Sequence, residues 1–185
     1  MDYTKYSYNI LCEDRRHYDF VRTYLVKKNV SGRNIRNTEG LPEGSGDAKK
    51  FIDNHYDHAL SKIRAHENHI LIVVRDADKL QNSSAYIESL IGKYTCSCGK
   101  KVFSVITNRN IETWFYFIDN PSSQDSRDES TDRKYSYPKN GTKDTEYGKK
   151  IGEVVNSVKN GEKNDCMPHS LQRMIELLIK VENNC

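Results

Sequence analysis

The run Ile70-Leu71-Ile72-Val73-Val74 constrains this chain more than any other segment, because five successive apolar residues cannot alternate between a wet face and a dry one. A strand of that kind is buried on both faces, as in the middle of a parallel sheet covered by helices. It is followed by Arg75-Asp76-Ala77-Asp78, and an earlier strand-like stretch, Asn9-Ile10-Leu11-Cys12, is followed by Glu13. Open parallel sheets carry their chemistry in the crevice beyond the carboxyl ends of the strands. Acids in these two places are therefore candidate site residues.

The flanking segments alternate in the same sense. Tyr6 to Cys12 reads as a first strand, and Asp14 through Lys28 as a helix with Phe20, Val21, Tyr24 and Leu25 at helical spacing. Ser31 to Asp47 contains Gly32, Gly40, Pro42, Gly44 and Gly46, too much turn chemistry for a helix interior. Within it, Asn34 to Thr38 is expected as a second strand and Gly40 to Asp47 as a mobile loop. Ser45 or Asp47 is placed to cap a helix from Ala48 to His66, where Phe51, Ile52, Tyr56, Leu60 and Ile63 form one face. Ala85 to Lys93 reads as a helix, Val102 to Ile106 as a strand, and Ile111 to Ile118 as an aromatic-rich helix. The order β-α-β-α-β-α-β-α predicts an α/β, Rossmann-like fold: a parallel sheet flanked by helices, with right-handed crossovers.

Pro121 to Asp132 is rich in Ser, Asp and Arg, and Thr145 to Asn184 reads as two helices split by Lys159-Asn160-Gly161 and Pro168. The expected organisation is a single domain. It comprises an α/β core over residues 1–120, an exposed flexible loop over 121–144, and a C-terminal helical extension over 145–185 packed on the core.

Composition narrows the function classes. The 185 residues suffice for one domain with a real core. Mean hydropathy is low, at −0.83, yet the apolar 36% is gathered into sharp runs, which argues for a folded core under a very polar surface. A net charge of +3, from 29 basic against 26 acidic residues, does not by itself mark a nucleic-acid binder. Five cysteines in no even framework, no secretory signal and no run of about 20 apolar residues point to a soluble, cytoplasmic protein with no membrane partner.

The acids carry the chemistry. In an extended segment Asp76 and Asp78 fall on one side of the backbone and can share a metal ion, although a helix-capping turn explains the same spacing. Carboxylates without a Cys/His ligand set suit a hard cation such as Mg²⁺ or Mn²⁺. Glu112, in Arg109-Asn110-Ile111-Glu112-Thr113-Trp114, is a further candidate beside a Trp expected as a core anchor. Cys96-x-Cys98 has no second pair to complete a zinc ribbon. His17 lies one helical turn after Glu13 and is placed to assist, His169 reaches the site only through tertiary folding, and Cys12 reads as a small core residue.

The ordered set resembles a family. An acid closing the first strand and a D-x-D closing a later one resemble the Toprim domain of topoisomerases, bacterial primases, the M5-type ribonuclease and the overcoming-lysogenization-defect nucleases. Leu11-Cys-Glu-Asp-Arg-Arg-His17 with Phe20-Val-Arg22, Val74-Arg-Asp-Ala-Asp78 and Arg109-Asn-Ile-Glu-Thr-Trp114 look closer to small stand-alone Toprim-like proteins of bacteria, some encoded beside ATPases in phage-defence loci. The resemblance covers Tyr6 to Ile118, and Met167-Pro-His-Ser-Leu171 also looks family-like. It implies Glu13 as general acid/base and metal ligand, Asp76 and Asp78 as ligands of Mg²⁺, and Glu112 as an acid near the metal. The usual Toprim glutamate is followed by Gly, a place held here by Asp14.

The expectation that follows is a Mg²⁺-dependent nuclease cutting phosphodiester bonds in DNA or RNA. Catalytic roles fall to Glu13, Asp76, Asp78 and Glu112, and Arg15, Arg16, Arg75 and Arg109 stand ready to bind phosphate. The chain has no P-loop pattern, so the resemblance implies control by a partner ATPase. A non-catalytic Toprim-like adaptor is the main alternative, and a phosphotransfer domain using Asp76 as nucleophile a lesser one.

Overall fold

The protein is described by a computed structural model covering residues 5–37, 39–42, 48–78, 84–95, 101–127, 129, 133, 137 and 143–183. Strand β1 (Ser7–Cys12) leads into helix α1 (Arg15–Lys27) and β2 (Ile35–Arg36) into α2 (Ala48–Arg64). Strand β3 (His69–Asp76) then leads into α3 (Ser84–Lys93) and β4 (Lys101–Thr107) into α4 (Glu112–Asp119), before α5 (Asp144–Lys159) and α6 (His169–Asn183). The four strands form one all-parallel sheet in the order β2-β1-β3-β4. This is the α/β, Rossmann-like architecture expected from the sequence, with the expected order of elements.

The strand order creates a switch point. From β1 the chain steps to β2 on one side, then crosses back to place β3 on the other side of β1. The carboxyl ends of β1 and β3 therefore flank the place where open α/β sheets bind their ligands. Cys12 pairs with Val74 and Asp76 with Thr107, so one residue past the end of β1 brings Glu13 level with Arg75.

Alternation along the strands divides the apolar side chains between two cores. Ile10, Cys12, Ile70, Ile72, Val74 and Val105 face α1, α4, α5 and α6, whereas Leu11, Leu71, Val73 and Ile106 face α2 and α3. Each buried aliphatic side chain is worth about 1.5–3 kcal/mol, which is why β3 is apolar without interruption. On the first face the rings of Trp114 and Phe115 lie 5.7 and 5.8 Å from Phe20, and Phe115 stacks on Tyr147 at 4.3 Å. These aromatic contacts join α1, α4 and α5.

Several boundaries differ from expectation for physical reasons. The second strand is only Ile35–Arg36, because Gly32–Asn34 wind into a 3₁₀ turn capped by the Ser31 hydroxyl and Ile35 alone is buried. Strand β3 continues through Asp76, since Arg75 and Asp76 find polar partners inside the fold. The stretch expected as an exposed loop contributes two buried side chains, Glu129 and Tyr137, among its described residues. Ser45 and Asp47, the expected caps of α2, and the Cys96-x-Cys98 pair lie outside the described residues. Among the described residues, no helix is long and apolar enough to cross a membrane.

Helix α5 approaches α1 closely at Gly148, where an added Cβ would stand 2.6 Å from the Phe20 carbonyl oxygen and 2.8 Å from the Thr23 Cβ. Backbone atoms cannot yield there. Gly148→Ala is expected to destabilise the fold by about 1–3 kcal/mol through overpacking, read as a lower urea midpoint with unchanged slope; an unchanged midpoint would show that α5 can retreat freely.

Candidate acidic site at the carboxyl ends of the strands

The turn after β1 is built by Asp14. Its carboxylate accepts from the His17 backbone N–H at 2.9 Å, an N-cap that starts α1. Asp14 thus has a local structural task as the cap of α1. The same oxygen meets His17 Nδ1 at 2.9 Å, and His17 Nε2 meets Asp76 Oδ1 at 3.0 Å. An imidazole with a carboxylate oxygen on each nitrogen must donate from both, so His17 is an imidazolium. Burial works against that charge, but Asp76 and Asp14 outweigh it and push the His17 pKa well above its ordinary value. Burial likewise opposes ionisation of Asp14, and its bonds to His17 hold its pKa below the usual range.

Asp76 Oδ1 also accepts from Thr107 Oγ1 at 2.6 Å. The loops that follow β3 and β4 are held together by their backbones, Ala77 N–H to Thr107 O at 3.0 Å and Asp78 N–H to Arg109 O at 3.2 Å. Asp78 adopts φ +51°, a left-handed conformation that ends the extended strand geometry. This corrects the expectation that Asp76 and Asp78 share one side of an extended backbone. Asp76 is buried against His17, and Asp78 is partly exposed and pairs with Lys49 of α2.

Glu13 lies between these groups. It is 8% exposed, and its Oε1 is buried without a hydrogen-bond partner. Burial, then repulsion from Asp76, pushes its pKa up to about 8. Glu112, expected as solvated if it had no role, is 2% exposed and ion-paired with Arg16. Burial is the main cause of its raised pKa, with Asp76 adding to it.

The four candidate arginines divide sharply. Arg15 points outward and pairs with Asp19 at 2.9 Å, along its own helix. Arg16 bonds Glu112, and Arg109 Nη1 donates to the Asp78 carbonyl at 2.8 Å. Arg75 is buried, with Nε 3.7 Å from Glu13 Oε1. The fold thus brings Glu13, Asp76, Asp78 and Glu112 into one electrostatic neighbourhood with Arg16, Arg75 and Arg109, and leaves Arg15 outside. His169 is exposed at the start of α6. Cys12 is fully buried, and burial pushes its thiol pKa up to about 12, as suits a core residue.

Sequence reasoning missed a second polar layer behind the site. Trp114 Nε1 donates to Ser170 Oγ at 2.8 Å, and Glu129 accepts from the Ser170 hydroxyl and, at 2.9 Å, from its backbone N–H near the start of α6. Arg173 Nη2 donates to Asn108 Oδ1 at 2.6 Å, tying α6 to the loop after β4. No spacing signal could have found Glu129, which lies in a polar stretch far from α6 in sequence. Lys49, Asp53 and Tyr94 were missed for the same reason. Thr107 was missed as well, since the strand was expected to end at Ile106 and runs one residue further.

Among the described residues, no group of three or more His, Cys, Asp and Glu side chains is gathered to hold a metal ion. Comparisons with protein-family models, curated proteins and solved structures find no match.

The raised Glu13 pKa makes a directional prediction. A carboxyl that holds its proton more tightly when folded contributes its full stability below its ordinary value of 4.5 and loses it as pH rises through about 8. Melting temperatures of the native chain and Glu13→Gln should therefore diverge between about pH 5 and about pH 8.5, the native chain losing ground at the higher pH. Parallel curves would mean that Glu13 titrates as an ordinary surface acid.

Proposed function

We propose that the protein is a Mg²⁺-dependent phosphodiesterase of Toprim type, cutting DNA or RNA at the carboxyl ends of β1 and β3. The observation that carries this reading is the buried Glu13 oxygen that lacks a hydrogen-bond partner, in a carboxyl whose pKa is raised by burial first and then by Asp76 and Asp78. Repulsion among acids around an orphaned oxygen is what a cation relieves. The donors are all oxygen, which fits Mg²⁺ or Mn²⁺, and Glu13, Asp76 and Asp78 would hold it. Such an ion, when bound, supplies Lewis-acid polarisation of a phosphoryl oxygen and of water.

The chain's own residues support the same chemistry. His17 bonds Asp76 and fixes its orientation, aided by Thr107. Glu13, with a pKa near the operating pH, suits proton donation to a leaving oxygen or proton removal from water. Arg16 balances Glu112 at the rim. By resemblance alone, control falls to an ATPase partner in phage defence, the sequence having no P-loop pattern.

One observation favours the adaptor alternative. Asp76, Asp78 and Glu112 each already meet a cationic side chain, from His17, Lys49 and Arg16 respectively. Acids neutralised within the fold need no metal, and the surface would then act by docking.

Incubation with plasmid, linear DNA, total RNA and tRNA in Mg²⁺ or Mn²⁺ separates the readings. Cleavage is expected to vanish with EDTA and to fall at least about a hundredfold in Glu13→Ala and Asp76→Ala, with both proteins still folded. If no substrate is cut and calorimetry detects no Mg²⁺ or Mn²⁺ binding, the nuclease reading is lost to the adaptor.

A further inference from the structure

We infer that Arg75 forms an anion subsite for a phosphoryl oxygen beside Glu13 at the carboxyl ends of β1 and β3, with Asp53 and Tyr94 as the positioning residues that hold its guanidinium. This rests on the phosphodiester reading for the identity of the anion, but its geometry is independent of any metal.

Alternation along β3 sends Arg75 to the face opposite Asp76, against α2 and α3. There its Nη1 donates to Asp53 Oδ1 at 3.2 Å and meets the Tyr94 hydroxyl, which also bonds Asp53. Lys93 Nζ donates to the same Asp53 oxygen at 2.7 Å. Asp53 is thereby tied by three donors and cannot follow the guanidinium if it swings. The Tyr94 ring, fully buried, lies 5.8 Å from the Arg75 guanidinium carbon and 5.2 Å from the Tyr56 ring, which fixes the hydroxyl from behind.

The other side of the guanidinium is treated differently. Nε is buried and makes no hydrogen bond, and the nearest acid is Glu13 Oε1, 3.7 Å away and itself without a hydrogen-bond partner. That separation is within ion-pair range and beyond hydrogen-bond range. A buried charged N–H without an acceptor is uncommon in folded proteins, and completion by a bound ligand is one of the few reasons to keep it. Lys93, Asp53 and Arg75 together carry one net positive charge at the switch point of the sheet. A guanidinium braced on one side and without a hydrogen-bond acceptor at its Nε has the fork geometry by which arginine takes phosphate oxygens. Arg16 and Arg109 also bury an Nε without a hydrogen-bond partner, and what sets Arg75 apart is the Asp53–Tyr94 brace behind its guanidinium.

The test is binding of a short fluorescein-labelled single-stranded oligonucleotide, as DNA and as RNA of the same sequence, followed by anisotropy in EDTA across a salt series. Arg75→Ala is expected to weaken binding about tenfold or more and to reduce the salt slope by about one. Tyr94→Phe keeps the buried ring and removes only the hydroxyl, so it should fold normally and weaken binding by about threefold to tenfold. Arg75→Lys should restore part of the salt slope without the affinity, and Arg15→Ala should match the native chain. If Arg75→Ala and Tyr94→Phe bind with native affinity and slope, or the native chain binds neither oligonucleotide, the subsite is overturned. Binding that depends on Arg75 without any cutting in Mg²⁺ would instead sink the nuclease reading and leave the subsite standing.

Discussion

A buried imidazolium holds the functional end of this fold together. His17 reaches from the first turn of α1 to Asp76 at the end of β3, while Asp14 caps the helix and receives the other ring nitrogen. Removing one partner from a buried charge cluster of this kind costs about 3–5 kcal/mol. The cluster sets the position of α1 relative to the sheet, and with it the approach of Arg16 to Glu112. It also holds Asp76 in place, and Asp76 adds to the burial that raises the pKa of Glu13.

The two faces of the sheet have divided the labour. On the face of α1 and α4, Asp76, His17, Thr107 and Glu112 form a layer of alternating charge above the aromatic packing of Phe20, Trp114 and Phe115. On the face of α2 and α3, Arg75 is anchored through Asp53 and Tyr94, and Lys49 reaches Asp78. Glu13 stands at the seam, with acids and cations acting on it from both sides. A group so placed is sensitive to anything that binds beside it, because no protein hydrogen bond saturates its Oε1.

Behind the site, the chain after α4 does more than connect. Glu129, at φ +56°, holds the start of α6 through Ser170, and Ser170 in turn receives the Trp114 indole N–H. Arg173 extends that layer to Asn108. The loop after β4, which carries Arg109 and leads to Glu112, is thus braced from the C-terminal helix. Its orientation depends on residues remote from it in sequence.

Local pattern was enough to read the sheet and the acids. Five apolar residues in a row require a strand covered on both faces, and an acid just past such a strand lies at the carboxyl end of the sheet whatever else the chain does; hence β3, α2, α3, β4, Glu13 and Asp76 were legible. Period and turn chemistry are local properties, and they survive without knowledge of neighbours. What the tertiary structure alone decided is which charge meets which. The left-handed backbone at Asp78 parts it from Asp76, the register of β1 on β3 puts Glu13 level with Arg75, and the fold of α2 and α3 delivers Asp53 and Tyr94 to the same guanidinium. Such pairings depend on distances between segments far apart in sequence, and neither periodicity nor composition encodes them.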